Sequence, residues 1–221
     1  EKLRSYGVTV DFAPDADVSA QPDRNVIGDR SFSNDPARVV VYAQAFSEGL
    51  ADGGITPVFK HFPGHGHAVG DSHTGASKTP PLNELESSDL VPFRGLAGTA
   101  GSWVMVGHLQ VPGLTDGLPA SLSPAAIGGL LRTDLGYQGV VVSDELGGMA
   151  AVADRYTLPD AVRRFLDAGG DIALWQGESS PSAVLDALEA AVRNGSLAES
   201  KVDASVVRIL AAKHHDPCAT P

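Results

Sequence analysis

The chain has 221 residues, and its 27 acidic against 16 basic side chains give a formal net charge of −11. A hydrophobic fraction of 43% and a charged fraction of 19% are typical of a globular protein and exclude a disordered or fibrous one. The acidic balance argues against a nucleic-acid-binding protein, which needs a basic face. No apolar run approaches the length of a membrane-spanning helix. The one cysteine, Cys218, leaves no internal disulfide possible.

Five short apolar segments, rich in Val and Ile, recur at wide intervals. They are Val8–Pro14, Ile55–His61, Trp103–His108, Gly139–Ser143 and Asp171–Trp175. Continuous apolar runs of this length are typical of strands that are buried on both faces of a parallel sheet. The sequence therefore predicts five parallel strands.

Helical signals lie between these segments. Asp-Pro or Ser-Pro pairs at Asp35, Ser123 and Ser180 each place an N-cap before a proline at the first helical position. An apolar stripe at helical spacing and a glycine stop follow each pair, and a last helix is predicted over about residues 200–213. Strands that alternate with helices indicate an α/β protein.

Polar residues stand at the C-terminal ends of the predicted strands. They are Asp11, Asp15, Lys60, His61, His108, Ser143 and Asp144. In a β/α barrel this end carries the chemistry on several strands at once, whereas a doubly wound sheet concentrates its site near one switch point. We therefore predict one catalytic domain of the (β/α)8 TIM-barrel type over residues 1–221, although five strands are fewer than closure needs.

The densest cluster of chemistry-bearing residues follows the second strand. It runs from Lys60 to His67 as KHFPGHGH and continues to Asp71-Ser72-His73. Three interpretations are open: a metal site, a glycine-rich loop whose histidines only bond the backbone, and a sugar or anion site with an acid–base histidine. Asp71 is close enough to His73 for its carboxylate to hold one imidazole nitrogen.

The fourth strand ends in two adjacent acids, Asp144 and Glu145. Because successive side chains of an extended chain point to opposite faces, only one of them can be directed into the barrel mouth. A solvated strand end is the alternative. For Arg30, in a polar loop, the alternative is likewise a side chain exposed to solvent. For His108 the alternative is a buried structural histidine, and for Asp11 it is a structural hydrogen-bond partner.

Together these residues resemble glycoside hydrolase family 3, and within it the bacterial β-N-acetylglucosaminidases of peptidoglycan turnover. The matching segments are Val10–Pro14, Ile27–Phe32, Lys60–Gly66, Asp71–His73, Val104–His108 and Gly139–Leu146. The KHFPGHG run with its downstream Asp-Ser-His is the most specific of them.

The resemblance implies a retaining, exo-acting enzyme that removes terminal β-linked N-acetylglucosamine from peptidoglycan fragments through a covalent glycosyl-enzyme. Asp144 matches the nucleophile, His73 the general acid–base and Asp71 its partner. The positions that match sugar contacts are Arg30, Lys60 and His61, with Asp11 and His108 at the edge of the site. No metal and no cofactor is implied, and phosphorolysis is an open variant because a histidine acid–base repels phosphate less than a carboxylate does. Glu145 stands where the family commonly has Asp.

Family members carry three further strands before the one that ends at Asp11. The resemblance thus implies that this chain holds the last five strand–helix units, that the N-terminal part of the same barrel is its partner, and that Val8–Pro14 lies at a sheet edge. The compartment stays open between the cell envelope, with a lipoprotein signal upstream, and the cytoplasm. A metal-dependent hydrolase that uses the histidine-rich loop and a non-catalytic sugar-binding barrel remain the alternative functions.

Overall fold

The computed structural model describes residues 1–20, 26–177 and 180–215, and Cys218 lies outside the described residues. In chain order the strands are β1 (Val10–Asp11), β2 (Thr56–Phe62), β3 (Ser77–Lys78), β4 (Trp103–Val106), β5 (Leu109–Gln110), β6 (Val141–Glu145) and β7 (Ile172–Leu174). β3 and β5 pair as a small parallel ribbon, and the other five strands form one sheet.

The five-stranded sheet has the order β1-β2-β4-β6-β7, and every pairing in it is parallel. The sheet curls into half of a barrel. The predicted α/β class and the five parallel strands are therefore confirmed. β1 lies at one edge of the sheet, as predicted for the first strand, and β7 lies at the other.

The contact between the first two strands extends beyond β1. The backbone N–H of Val58 donates to the carbonyl of Ala13, and the N–H of Ala16 donates to the carbonyl of Lys60 at 2.6 Å. These bonds hold the segment 15–19 beside the C-terminal end of β2. Residues from two neighbouring strand ends are thereby brought to the same rim of the sheet.

Helices alternate with the strands of the main sheet along the chain. In chain order they are α1 (Lys2–Ser5), α2 (Pro36–Asp52), α3 (Leu82–Leu85), α4 (Leu90–Leu96), a π-helix (Ala125–Asp134), α5 (Ala150–Ala153), α6 (Leu158–Asp167), α7 (Pro181–Arg193) and α8 (Glu199–Ala212). α2, the π-helix, α7 and α8 occupy the four predicted positions. The Asp35 carboxylate caps α2 by accepting the N–H of Ala37 at 2.9 Å.

The prediction omitted α4 and α6. α4 has only seven residues and includes Pro92, so it lacks a long apolar stripe. α6 follows Thr157 and has a proline, Pro159, as its second residue, and it buries Val162 and Phe165 against the sheet. Within the described ranges, no helix combines the length and apolar character that crossing a bilayer requires.

Alternate strand residues face the inside of the half barrel, where a buried apolar cluster lies. The cluster consists of Val58, Trp103, Met105, Val140 and Val142, and α8 packs against it. Lys60 and Asp144 each follow a member of this cluster by two positions, so both side chains point to the same inner side. The fold thus directs a cation and a carboxylate into one space above the cluster.

Candidate active site

A cleft of about 510 Å³ opens at the C-terminal ends of the strands. It is lined by five of the residues that the sequence predicts for the site, which are Arg30, Lys60, His61, His73 and Asp144. They come from four separate regions of the chain, so the parallel crossovers assemble the cleft. Apolar side chains, Met105, Met149 and Leu174 among them, form part of its surface.

Asp144 is half-buried in the cleft. Its Oδ1 accepts the backbone N–H of Glu145 at 2.9 Å. Burial acts to raise the pKa of this carboxyl, but the nearby imidazoles of His61 and His108 and the Glu145 N–H outweigh it, so the pKa lies below its ordinary value. Asp144 is therefore ionised at neutral pH, as a nucleophile or a stabiliser of positive charge must be.

A fully buried carboxylate, Asp17, holds the cleft residue His61 in place. Asp17 Oδ2 lies 2.8 Å from His61 Nδ1, and Asp17 Oδ1 accepts the backbone N–H of His65 at 2.6 Å. Burial acts to raise the pKa of Asp17, but the His61 charge and these hydrogen bonds lower it to about 2. Burial likewise acts to lower the pKa of His61, yet the charge of Asp17 raises it above the ordinary value. The protonated form of His61 is thus favoured, and Nε2 is the nitrogen left for a ligand.

Asp17 is a site residue that the sequence analysis missed. The signal was present, because an acid between Ala16 and Val18 in an otherwise apolar stretch indicates a buried and therefore partnered charge. Its partner could not be identified, since His61 lies 44 positions further along the chain.

Asp15 lies beside this pair and is also buried. Burial and the charge of Asp17 raise the pKa of Asp15 to about 7. Ligand atoms of Asp15, Asp17 and His61 lie within 4.8 Å of one another, and among the described residues this is the group that could hold a metal ion. The group fits an ion poorly, because both Asp17 oxygens and His61 Nδ1 already bond to each other or to backbone N–H groups.

The four histidines of the KHFPGHGH–DSH segment do not converge on one point in the described structure. His67 Nδ1 lies 2.8 Å from the buried carboxylate of Asp89, and His73 Nδ1 lies 2.7 Å from Asp71. Three of the histidines therefore have three different carboxylate partners. This arrangement gives no support to the four-histidine metal site that the sequence left open.

His73 reaches the cleft on a loop that is bonded to α5, the helix that follows β6. Asp71 accepts both the backbone N–H and Nδ1 of His73, and these bonds hold the pKa of Asp71 below its ordinary value. The carbonyl of Ser72 accepts the N–H of Ala151 at 3.1 Å, which connects the loop to α5. The His73 side chain is 65% exposed, so its Nε2 is accessible for proton transfer.

Two glycines allow the start of this loop to approach its neighbours closely. A Cβ on Gly66 would lie 1.9 Å from the carbonyl oxygen of Val18. A Cβ on Gly64, whose φ is +125°, would lie 2.3 Å from the Cβ of Asp89. The missing side chain at Gly66 therefore lets the loop lie against the segment 15–19, and the one at Gly64 lets it lie against Asp89.

Three predicted residues do not line the cleft. Asp71 lies behind His73. His108 is fully buried, with Nδ1 2.7 Å from Ser121 Oγ and Nε2 2.7 Å from the carbonyl of Glu145, so it supports the strand end from within the protein. Asp11 lies in β1 next to Phe12, and it is Phe12 that faces the cleft.

The half barrel and this cleft define part of a β/α barrel with an ionised carboxylate and a histidine–carboxylate pair at the strand ends. The chain belongs to glycosyl hydrolase family 3, because the family's N-terminal domain matches residues 1–212.

Several relatives agree with this assignment. The beta-hexosaminidase LpqI of Mycobacterium tuberculosis is 55% identical over 221 residues, which cover 98% of this chain and 57% of that protein. A family 3 glycosyl hydrolase of Mycobacterium smegmatis superposes with a TM-score of 0.93 at 54% identity, covering 96% of this chain and 67% of that one. A family 3 β-N-acetylglucosaminidase from a Paenibacillus strain gives a TM-score of 0.91 at 36% identity, covering 100% and 43%. The chain thus spans little more than half the length of its curated relative.

Proposed function

We propose that the protein is a retaining, exo-acting β-N-acetylglucosaminidase that releases terminal β-linked N-acetylglucosamine from peptidoglycan fragments. The observation that carries the proposal is that ionised Asp144 and the Asp71–His73 pair line or border one cleft. Relatives named beta-hexosaminidase and β-N-acetylglucosaminidase support the sugar class.

In the first step, the Asp144 carboxylate attacks the anomeric carbon, and the bond from that carbon to the leaving oxygen breaks. His73 Nε2 gives its proton to the leaving oxygen, so the glycosyl group becomes an ester of Asp144. Asp71 stabilises the imidazolium before transfer and fixes Nδ1–H afterwards.

In the second step, water attacks the same carbon and displaces the Asp144 carboxylate. Neutral His73 takes the proton of that water and regains its starting state. Two inversions at one carbon give net retention of configuration.

Three cations bind the sugar in this proposal. Lys60, Arg30 and protonated His61 line the cleft and offer N–H donors to the ring hydroxyls and the acetamido oxygen. The charge of His61 also lowers the pKa of Asp144 and so keeps the proposed nucleophile ionised. Met105 and Met149 offer an apolar surface to the acetamido methyl group.

The test is turnover of para-nitrophenyl N-acetyl-β-glucosaminide by the complete natural protein, with the released sugar followed by NMR. We expect the β-anomer to form first and activity to persist in a chelator. An α-anomer formed first would contradict the covalent aspartate mechanism. Activity that is lost with chelator and restored by a divalent ion would favour the metal-dependent alternative, and binding without turnover would favour a sugar-binding barrel.

The peptidoglycan part of the proposal needs its own comparison. We expect a higher kcat/KM for the disaccharide of N-acetylglucosamine and N-acetylmuramic acid than for the N-acetylglucosamine dimer. Equal kcat/KM values for the two disaccharides, or a higher value for the N-acetylglucosamine dimer, would contradict the peptidoglycan preference and favour a general exo-hexosaminidase.

A further inference from the structure

We propose that Glu145 is a positioning residue that fixes the wall of the sugar cleft by holding two strand-end segments together. The inference rests on the proposed glycosidase function, because the wall acts on a bound sugar. It concerns the acid next to Asp144, for which the family resemblance implies no catalytic role.

The carboxylate of Glu145 binds backbone amides from two different regions. Oε1 accepts the N–H of Gly147 at 2.7 Å and the N–H of Gln176 at 3.0 Å, and Oε2 accepts the N–H of Gly148 at 2.7 Å. Gly147 and Gly148 belong to the turn after β6, whereas Gln176 follows β7. One side chain therefore joins the exits of two adjacent strands through charge-assisted hydrogen bonds.

The joined segments form one side of the cleft. Gly148, Met149 and Gln176 all line it, as Glu145 itself does. Among the residues that the structure describes, the last direct backbone bond between the two strand exits runs from the N–H of Leu146 to the carbonyl of Leu174 at 2.9 Å. Beyond this point the Glu145 carboxylate supplies the connection, so the wall would separate without it.

The turn is built closely around this carboxylate. A Cβ on Gly147 would lie 2.9 Å from Oε1, and a Cβ on Gly148 would lie 3.2 Å from Oε2. The two glycines therefore allow their N–H groups to reach the carboxylate at short distance. A side chain one methylene shorter than Glu at position 145 holds its carboxylate nearer to the main chain, so we expect it to lose the bond to Gln176.

The main chain of Glu145 also bears on the nucleophile. Its N–H donates to Asp144 Oδ1 at 2.9 Å, and its carbonyl accepts from His108 Nε2 at 2.7 Å. A shift of residue 145 would thus pass directly to the Asp144 carboxylate. With three amide donors on its oxygens, the Glu145 side chain is committed to the wall rather than to attack on a sugar.

The test uses Glu145→Gln, Glu145→Asp and Glu145→Ala in the complete natural protein, with exposed Glu86→Gln as the matched control. Gln keeps an oxygen that can accept two of the three bonds, so we expect KM to rise only a few-fold with kcat nearly unchanged. Ala and Asp lose the connection, and we expect KM to rise by roughly 10- to 100-fold, with a smaller fall in kcat. Glu86→Gln should match the wild type.

Two results would overturn the inference. One is a KM within twofold of wild type for both Glu145→Asp and Glu145→Ala. The other is a loss in kcat for Glu145→Gln as large as that for Asp144→Ala, which would make Glu145 a catalytic residue. If Glu145→Ala does not fold, the inference is tested by comparing Glu145→Gln with Glu145→Asp. The inference requires the Gln variant to have the lower KM of the two.

Failure of the proposed function gives a different result. If the wild type shows no turnover, the glycosidase proposal fails. The positioning role is then tested by measuring the affinity for N-acetylglucosamine by calorimetry. We expect the wild type to bind most tightly, the Gln variant less tightly, and the Asp and Ala variants most weakly. Equal affinities would overturn it.

Discussion

Three histidines of the segment 61–73 each pair with a different carboxylate, and the burial of these pairs differs. The pairs are Asp17–His61, Asp89–His67 and Asp71–His73, with the histidine side chains 9%, 46% and 65% exposed. In the buried pair, the charge of Asp17 raises the pKa of His61, which favours the imidazolium next to Asp144. The exposed pair leaves one imidazole nitrogen free to exchange protons. We therefore propose an electrostatic role for the buried pair and proton transfer for the exposed one, because burial limits proton exchange with a ligand or water.

Asp144→Ala tests the nucleophile. We expect kcat to fall on the order of a thousandfold or more, because the covalent step is lost. A mechanism-based fluorosugar should label Asp144 in the wild type, as located by peptide mass spectrometry. A label on Glu145 would contradict the assignment.

His73→Ala tests the acid–base role. Protonation by His73 matters most when the leaving group is a poor one, so cleavage of a natural disaccharide should slow by about 10²- to 10⁴-fold. The first step with nitrophenol as leaving group should slow much less. Equal losses on both substrates would mean that His73 only positions the sugar.

Asp17→Asn tests the charge on His61. Because the Asp17 charge raises the pKa of His61, the imidazolium persists above the ordinary value of 6.5 in the wild type. Asn keeps an acceptor but not the charge, so the pKa of His61 falls and the cation is lost at lower pH. We expect the alkaline limb of the kcat/KM profile to move to lower pH, while exposed Asp52→Asn leaves it in place. An unchanged limb in Asp17→Asn would show that His61 does not control it.

At the scale of elements, the loop between β2 and β3 carries His73, the proposed acid–base residue, and is attached at three places. Its start lies against the segment 15–19 at Gly66. Val69 pairs with Lys78 of β3, and the carbonyl of Ser72 accepts a hydrogen bond from α5. His73 therefore stands on a loop with an exposed tip and a bonded base. The attachment of the loop therefore determines where His73, the proposed proton donor, can act.

Gly66→Ala tests this attachment, and Gly75→Ala in the same loop is its control. A Cβ on Gly66 would meet backbone at 1.9 Å, whereas one on Gly75 would meet nothing within 4 Å. We expect Gly66→Ala to cost about 1–3 kcal/mol of unfolding free energy and most of the activity, because the loop base must move. Gly75→Ala should stay within about 0.5 kcal/mol of wild type in urea unfolding. Equal effects of the two substitutions would contradict the account.

At the scale of the whole molecule, one buried carboxylate links the sheet to its last helix. Asp171 Oδ2 accepts Arg132 Nη2 at 2.6 Å and the N–H of Val141 at 2.7 Å, and its Oδ1 accepts Arg208 Nε at 2.9 Å. These groups come from the π-helix, the start of β6 and α8. The link closes the end of the half barrel that is opposite to the cleft.

Asp171→Ala should destabilise the protein by about 3–5 kcal/mol, because it leaves two largely buried guanidinium groups without their counter-charge. Glu189→Ala removes an exposed pair with Arg193 and should cost no more than about 1 kcal/mol. Urea unfolding of the complete natural protein measures both. A loss below 1 kcal/mol for Asp171→Ala would show that the link is not a stabilising one.

Local signals in the sequence determined the five strands, four of the main helices and the strand ends that carry polar residues. Continuous apolar runs and proline-preceded helix starts act over a few residues, so they can be read without knowledge of the fold. The motif that contains Lys60, His61 and His73 pointed to the residues that line the cleft. It also placed Asp11 and His108 at the edge of the site, and neither lines the cleft.

The groups that hold those residues are brought to them by the folding of the chain. Asp17 meets His61 across 44 positions, and Glu145 meets Gln176 across 31. Parallel strands need long crossovers, so neighbours at one rim of the sheet are always far apart in the chain. No local sequence pattern therefore predicts such a pair. The hydrogen bond between its two residues depends on strand register and burial, which exist only once the sheet has formed.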